Sequence, residues 1–169
     1  MIKTMIAACL LLPCLALAQA PTRSPAGPRP PLVTCEPGKA VPCIVIASRL
    51  ADIVGVWKQY LGNPLFAAQD GVGYIRYNAD GSFVIADTPE HTVAPFKNWP
   101  RGTVRFDGTR ALLTVEPIEG VPAECQTAIH EMRVVRLGSR PVGLIYSQVE
   151  DNCLPRRSDL GVVLPYIGR

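Results

Sequence analysis

From Gly55 onward, apolar and polar positions alternate in short runs, and each run stops at a turn-forming pair. A period of two puts successive side chains on opposite faces of a strand, so the pattern predicts strands rather than helices. Gly73–Tyr77 and Ser82–Ala86 flank Asn78, Ala79, Asp80 and Gly81, while Thr103–Phe106 and Thr109–Val115 flank Asp107 and Gly108. Asp-Gly favours tight hairpin turns, because glycine takes positive φ without steric penalty. Gln126–Leu137 and Pro141–Glu150 form a third pair around Gly138, Ser139 and Arg140. Ahead of the first strand, apolar residues at 46, 50, 53 and 54 have helical spacing and predict a short N-terminal helix between Ile44 and Val54. Leu160–Ile167 is a last apolar run, broken by Pro165, suited to an edge strand or a closing segment.

About seven strands with short connections, and no helix long enough for a crossover, exclude a parallel sheet. The predicted fold is all-β: an antiparallel up-and-down barrel, since closure removes the exposed edges that an open meander would keep.

Cysteine spacing sharpens the register of the third hairpin. A three-residue loop sets Leu137 opposite Pro141, and counting back along both strands brings Cys125 opposite Cys153, within reach of a cross-strand disulfide. The same register opposes Ile129 to Val149 and Arg133 to Ile145 on one face, and Met132 to Tyr146 and Val134 to Leu144 on the other. The second set is the more apolar near the turn and is assigned to the core.

Met1–Ala20 has the form of a secretory signal peptide: Lys3, an apolar centre from Ile6 to Leu17, and the small-x-small site Ala18, Gln19, Ala20. A transmembrane span needs roughly 20 unbroken apolar residues; this run is shorter and is interrupted by Pro13. Ile6–Cys9 is similar to a lipobox, but Cys9 precedes most of the apolar run, so cleavage is the preferred reading over a lipoprotein. Pro21–Pro42 is proline-rich and poor in apolar residues, the composition of a disordered or polyproline linker. The barrel domain is then expected over 43–169. Cleavage would leave four cysteines, which allow three pairings; the nearest-neighbour set, Cys35 with Cys43 and Cys125 with Cys153, is the expected one in an oxidising, secreted or periplasmic setting. Free thiols or a zinc site are the competing readings, and the spacing is not that of zinc ligands. Without Lys3, sixteen Lys plus Arg face fourteen Asp plus Glu, a net charge near +2 that gives no argument for nucleic acid.

Gly55-x-Trp57 at the start of the first strand, after a short helical lead and before antiparallel hairpins in an exported chain, resembles the lipocalin-like, or calycin, group of β-barrels. Trp57–Asn63 is also similar to the first strand of avidin-type barrels. The calycin resemblance implies that the Gly-x-Trp strand closes the base of the barrel, that a late Arg, here Arg156 or Arg157, packs over the Trp, and that the open end holds a small apolar ligand. No Thr-Asp-Tyr motif and no long C-terminal helix accompany it, and the barrel segment is short, which argues for a small internal space. On this reading Trp57, Tyr74, Phe83, Met132 and Tyr146 line a ligand site, gated by Phe96 and Trp99 in the long Thr88–Gly102 connection. Whether those two rings form a lid or fold back as a satellite core is left open. The competing function, from a different class, is a protein-binding inhibitor or envelope-associated module presenting that connection.

Catalytic chemistry finds little in the sequence, and no enzyme, cofactor or metal is expected; the protein is expected to be a monomer. The two histidines, His91 and His130, have no partner at ligand or triad spacing. His130 faces Gln148 in the register above, and a solvated strand face is preferred for it over a polar patch inside a barrel mouth.

Overall fold

The fold is that of a computed structural model of the 169-residue chain, describing residues 33–36, 39–60, 71–119, 121–153, 156 and 160–169. The expected signal peptide and most of the expected linker lie outside the described residues.

Nine strands are present among the described residues: β1 (Pro42–Ile46), β2 (Gly55–Tyr60), β3 (Val72–Tyr77), β4 (Ser82–Ala86), β5 (Arg101–Asp107), β6 (Arg110–Val115), β7 (Thr127–Leu137), β8 (Arg140–Glu150) and β9 (Val163–Gly168). β2 to β9 pair in sequence order, β9 pairs back onto β2, and every partner is antiparallel, so these eight strands close a barrel. β1 pairs with residues 133–137 of β7, on the stretch left over after β6 has paired with residues 127–131. The hairpins stand where the alternation predicts them. Two features differ from the sequence reading: a ninth strand, β1, lies outside the eight-stranded barrel, and the N-terminal helix is absent.

Both differences have local causes. Ile44, Val45 and Ile46 are β-branched and favour extended backbone, and the free half of β7 gives them an edge to pair with. Only Leu50–Asp52 forms a 3₁₀ turn. β1 is stapled by the Cys35–Cys43 disulfide, and the Ile44 N–H donates to the Val33 carbonyl. The Leu160–Ile167 run supplies β9, which sits between β2 and β8 rather than at an edge.

Alternation then sorts the wall. Trp57, Ile75, Tyr77, Phe83, Val104, Leu113, Met132, Val134, Leu144 and Leu164 are buried in one apolar cluster inside the barrel. The base carries the β1–β2 connection and the short turns after β3, β5 and β7; the opposite end carries the longer connections after β2, β4, β6 and β8. At the base the 3₁₀ turn brings Leu50 under Gly81 and buries Ile53, whose carbonyl accepts the Trp57 indole N–H at 2.8 Å. Gly55 has φ of 138°, and a Cβ there would stand 2.5 Å from Tyr166 Cε2. That explains the glycine of Gly-x-Trp: Tyr166 of β9 lies over it and meets Trp57 edge-on at 4.9 Å. The position expected for a late Arg is therefore filled by an aromatic ring. Arg156 is engaged elsewhere, and Arg157 lies outside the described residues.

The cysteine register holds in the middle of β7–β8 and slips at both ends. Met132 opposes Tyr146, Val134 opposes Leu144, Arg133 opposes Ile145 and His130 opposes Gln148, as expected. The turn is two residues, with Leu137 opposite Arg140, and a second irregularity puts Ile129 opposite Glu150 instead of Val149. Each shift is one extra residue in β8, and the register between the two is unchanged, so the core face is assigned as expected. Cys125 and Cys153 are bonded.

Candidate functional site

Four of the seven residues expected to line or gate a ligand site share the barrel interior. Trp57, Phe83, Met132 and Tyr146 all belong to the inner apolar cluster, none of them more than 4 % exposed. Tyr77 joins them, its hydroxyl 2.9 Å from that of Tyr146 and its ring 6.0 Å from Phe83. These rings meet one another, so the lower barrel is occupied by its own side chains.

The other three lie outside. Tyr74 follows the period of two: with Ile75 pointing inward, Tyr74 shares the outer face of β3 with Arg76, between Lys58 and Ala86 on the neighbouring strands. The connection carrying Phe96 and Trp99 is laid along the outer wall. Two outward-facing arginines hold it there, Arg76 through Nε to Thr92 Oγ1 at 2.9 Å and Arg101 through Nη2 to the Phe96 and Lys97 carbonyls at 3.0 and 2.8 Å. Thr92 is buried and Trp99 half-buried against this wall, while Phe96, edge-on to the His91 ring, remains 55 % exposed. The connection is thus anchored to the wall of the barrel, which separates it from the gating position expected of it.

A polar cluster sits toward the long-connection end of the barrel. His130 is on the inner face of β7 and only 1 % exposed, which overturns the solvated strand face expected for it. Its Nε2 lies 2.8 Å from Asp151 Oδ2, just beyond the end of β8, and its ring is 5.5 Å from that of Tyr146. Asp151, 3 % exposed, also accepts from Arg156 Nε at 2.9 Å, from Arg156 Nη2 at 3.0 Å and from the Cys153 N–H at 2.9 Å. Arg156 reaches on to the Cys125 carbonyl at 2.9 Å, so both halves of the Cys125–Cys153 disulfide frame the cluster.

Burial pushes the Asp151 carboxyl up, but the hydrogen bonds from His130 and Arg156, the Arg156 charge and the Cys153 N–H together outweigh it and hold it well below the usual carboxylate range. An ionised Asp151 can only accept, so His130 carries a proton on Nε2, and a ring holding that one proton presents a bare lone pair at Nδ1. That Nδ1 is buried without a hydrogen-bond partner. So is Oε1 of Gln59, 3 % exposed, two residues beyond Trp57 on the same inner face of β2. Buried polar atoms left unpaired are uncommon and costly, and two acceptors in one barrel interior are the feature that distinguishes this end.

The sequence carried signals for each. His130 has the parity of Met132 and Val134, so the argument that put those two in the core applied to it as well. Gln59 has the parity of Trp57, and Asp151 is pinned by its nearness to Cys153. Polarity alone argued against burial, and the compensating partner lies 21 residues away in the chain.

Among the described residues no three His, Cys, Asp or Glu side chains converge as metal ligands, and no helix is long and apolar enough to cross a membrane. The two disulfides and the closed antiparallel barrel are compatible with a lipocalin-like fold. No family model matches the chain, and neither a curated protein nor a solved structure matches it.

Proposed function

We propose that this protein is a non-enzymatic binding module of the secreted or periplasmic space that receives a small amphipathic molecule at the long-connection end of its barrel. The observation that carries the reading is the pair of buried, unpartnered acceptors, His130 Nδ1 and Gln59 Oε1, inside a closed barrel. A fold seldom keeps such atoms unless something binds them, and barrel mouths are common ligand sites. Two disulfides support export, since they persist in oxidising compartments. On this reading Trp57, Phe83 and Met132 form the floor, and Tyr146 stands between floor and polar end.

Native mass spectrometry of the protein purified from its own host tests the proposal. A co-purifying small molecule, released on denaturation, is the expected result. A clean unliganded mass, together with no uptake of a long-chain apolar probe, would refute it.

One observation favours a second reading, a protein-binding module. Val93 and Phe96 are 72 % and 55 % exposed on a connection that arginines hold rigidly to the outer wall. Phe96→Ser should then abolish capture of an envelope partner with the melting temperature unchanged, and undiminished capture would end that reading. Phe96 is the residue to test, because Trp99 is half-buried.

A further inference from the structure

Building on the small-molecule reading, we infer that the polar end of the ligand is an uncharged hydrogen-bond donor, a hydroxyl or an amide N–H on an apolar body, and not a carboxylate. The two unpartnered atoms have the same chemistry. Gln59 Oε1 is a carbonyl oxygen and only accepts. With one proton on the ring, His130 Nδ1 accepts as well, because that proton is committed at Nε2 to Asp151, itself held by Arg156 and the Cys153 N–H. What is missing at both places is therefore a donor.

A water molecule can supply it when no ligand is bound, and a ligand that displaces that water must bring a donor of its own or leave the acceptors bare. A carboxylate brings only further acceptors. It would face lone pair against lone pair at His130 Nδ1, and its charge would lose solvation in a barrel whose nearby cation, Arg156, is already paired with Asp151. An ammonium carries donors but meets the same cost of losing water from a full charge. Either acceptor can serve alone, since the donor chemistry demanded is the same at each. The Asp151–Arg156 pair acts as a positioning device: it fixes which nitrogen of His130 is bare, without touching the ligand.

The test is a binding comparison at pH 8, where an ordinary imidazole is neutral, using three probes of equal chain length: dodecan-1-ol, dodecanamide and dodecanoate. The alcohol and the amide are expected to bind the purified protein about tenfold or more tightly than the carboxylate. His130→Phe and Gln59→Leu should each erode that preference by weakening the binding of the alcohol and the amide. His130→Asn, which can put an amide oxygen close to the position of Nδ1, should restore part of it, and this rescue separates lost recognition from lost folding. Equal or tighter binding of dodecanoate would overturn the inference and leave the binding module standing. Binding of none of the three would overturn both.

Discussion

The two ends of this barrel are closed by opposite means. At the base, Ile53, Trp57 and Tyr166 pack ring and chain against one another over Gly55, and the buried Trp57 indole N–H is satisfied by the Ile53 carbonyl. At the other end His130, Asp151 and Arg156 form a hydrogen-bonded network framed by a disulfide, and two acceptors remain without partners. Apolar closure is saturated by its own contacts, whereas polar closure has hydrogen-bonding capacity in excess of what the chain supplies. A base built this way is a floor, and the proposed recognition belongs to the end where capacity is left over.

The largest effect expected from breaking this contrast is at the floor. Trp57→Ala removes a fully buried ring and its hydrogen bond, and should cost about 4 to 5 kcal/mol in urea unfolding, near the top of the range for large-to-small core changes. A loss below about 1 kcal/mol would mean that the base can collapse around the gap and is not the rigid floor described.

Next comes the staple at the polar end. In the chain-entropy model, the Cys125–Cys153 link is worth about 3 to 4 kcal/mol and the shorter-loop Cys35–Cys43 link about 2 to 3. Replacing the first pair by serine should therefore lower the melting point more than replacing the second. It should also act non-additively with Asp151→Asn, since Cys153 N–H and the Cys125 carbonyl are members of the same network. Additive losses would separate the staple from the ionic cluster.

The contrast between the ends also governs what could be read from the chain. The base was legible because apolar period-two patterning and turn residues act locally: Gly55-x-Trp57, the Asp-Gly turns and the Met132/Val134 face all announce themselves within a few residues. β1 was missed because its partner edge exists only once β6 proves shorter than β7, a fact of topology rather than of composition. Tyr74 and the Phe96–Trp99 connection were expected around the ligand because they are aromatic, yet side-chain parity and two arginine anchors place them on the outer wall. The polar end was illegible for a related reason. A buried histidine is recognisable only when its compensating charges are known, and Asp151 and Arg156 come from a different strand end.

The smallest predicted effect concerns those charges directly. Asp151→Asn leaves Arg156 and His130 without their carboxylate and should cost about 2 to 3 kcal/mol at pH 7, less than for a fully buried pair because Arg156 is partly exposed. Its pH dependence identifies the cause. The Asp151 carboxyl is held below its unfolded value of about 3.9, so the folded state binds fewer protons than the unfolded state across that interval. The stabilisation is thus fully present above about pH 3.9 and is lost as pH falls through the lower, folded value. The gap between wild type and Asp151→Asn should begin to close below about pH 3.9, as protonation makes the carboxyl resemble the amide. Asp80, also held low by Ser82, titrates in both proteins and cancels in the comparison. Thermal melts across pH 2.5 to 8 measure the gap. A gap that persists unchanged into acid would show that shape rather than charge at Asp151 holds the polar end together, and the fixed tautomer of His130 would lose its support.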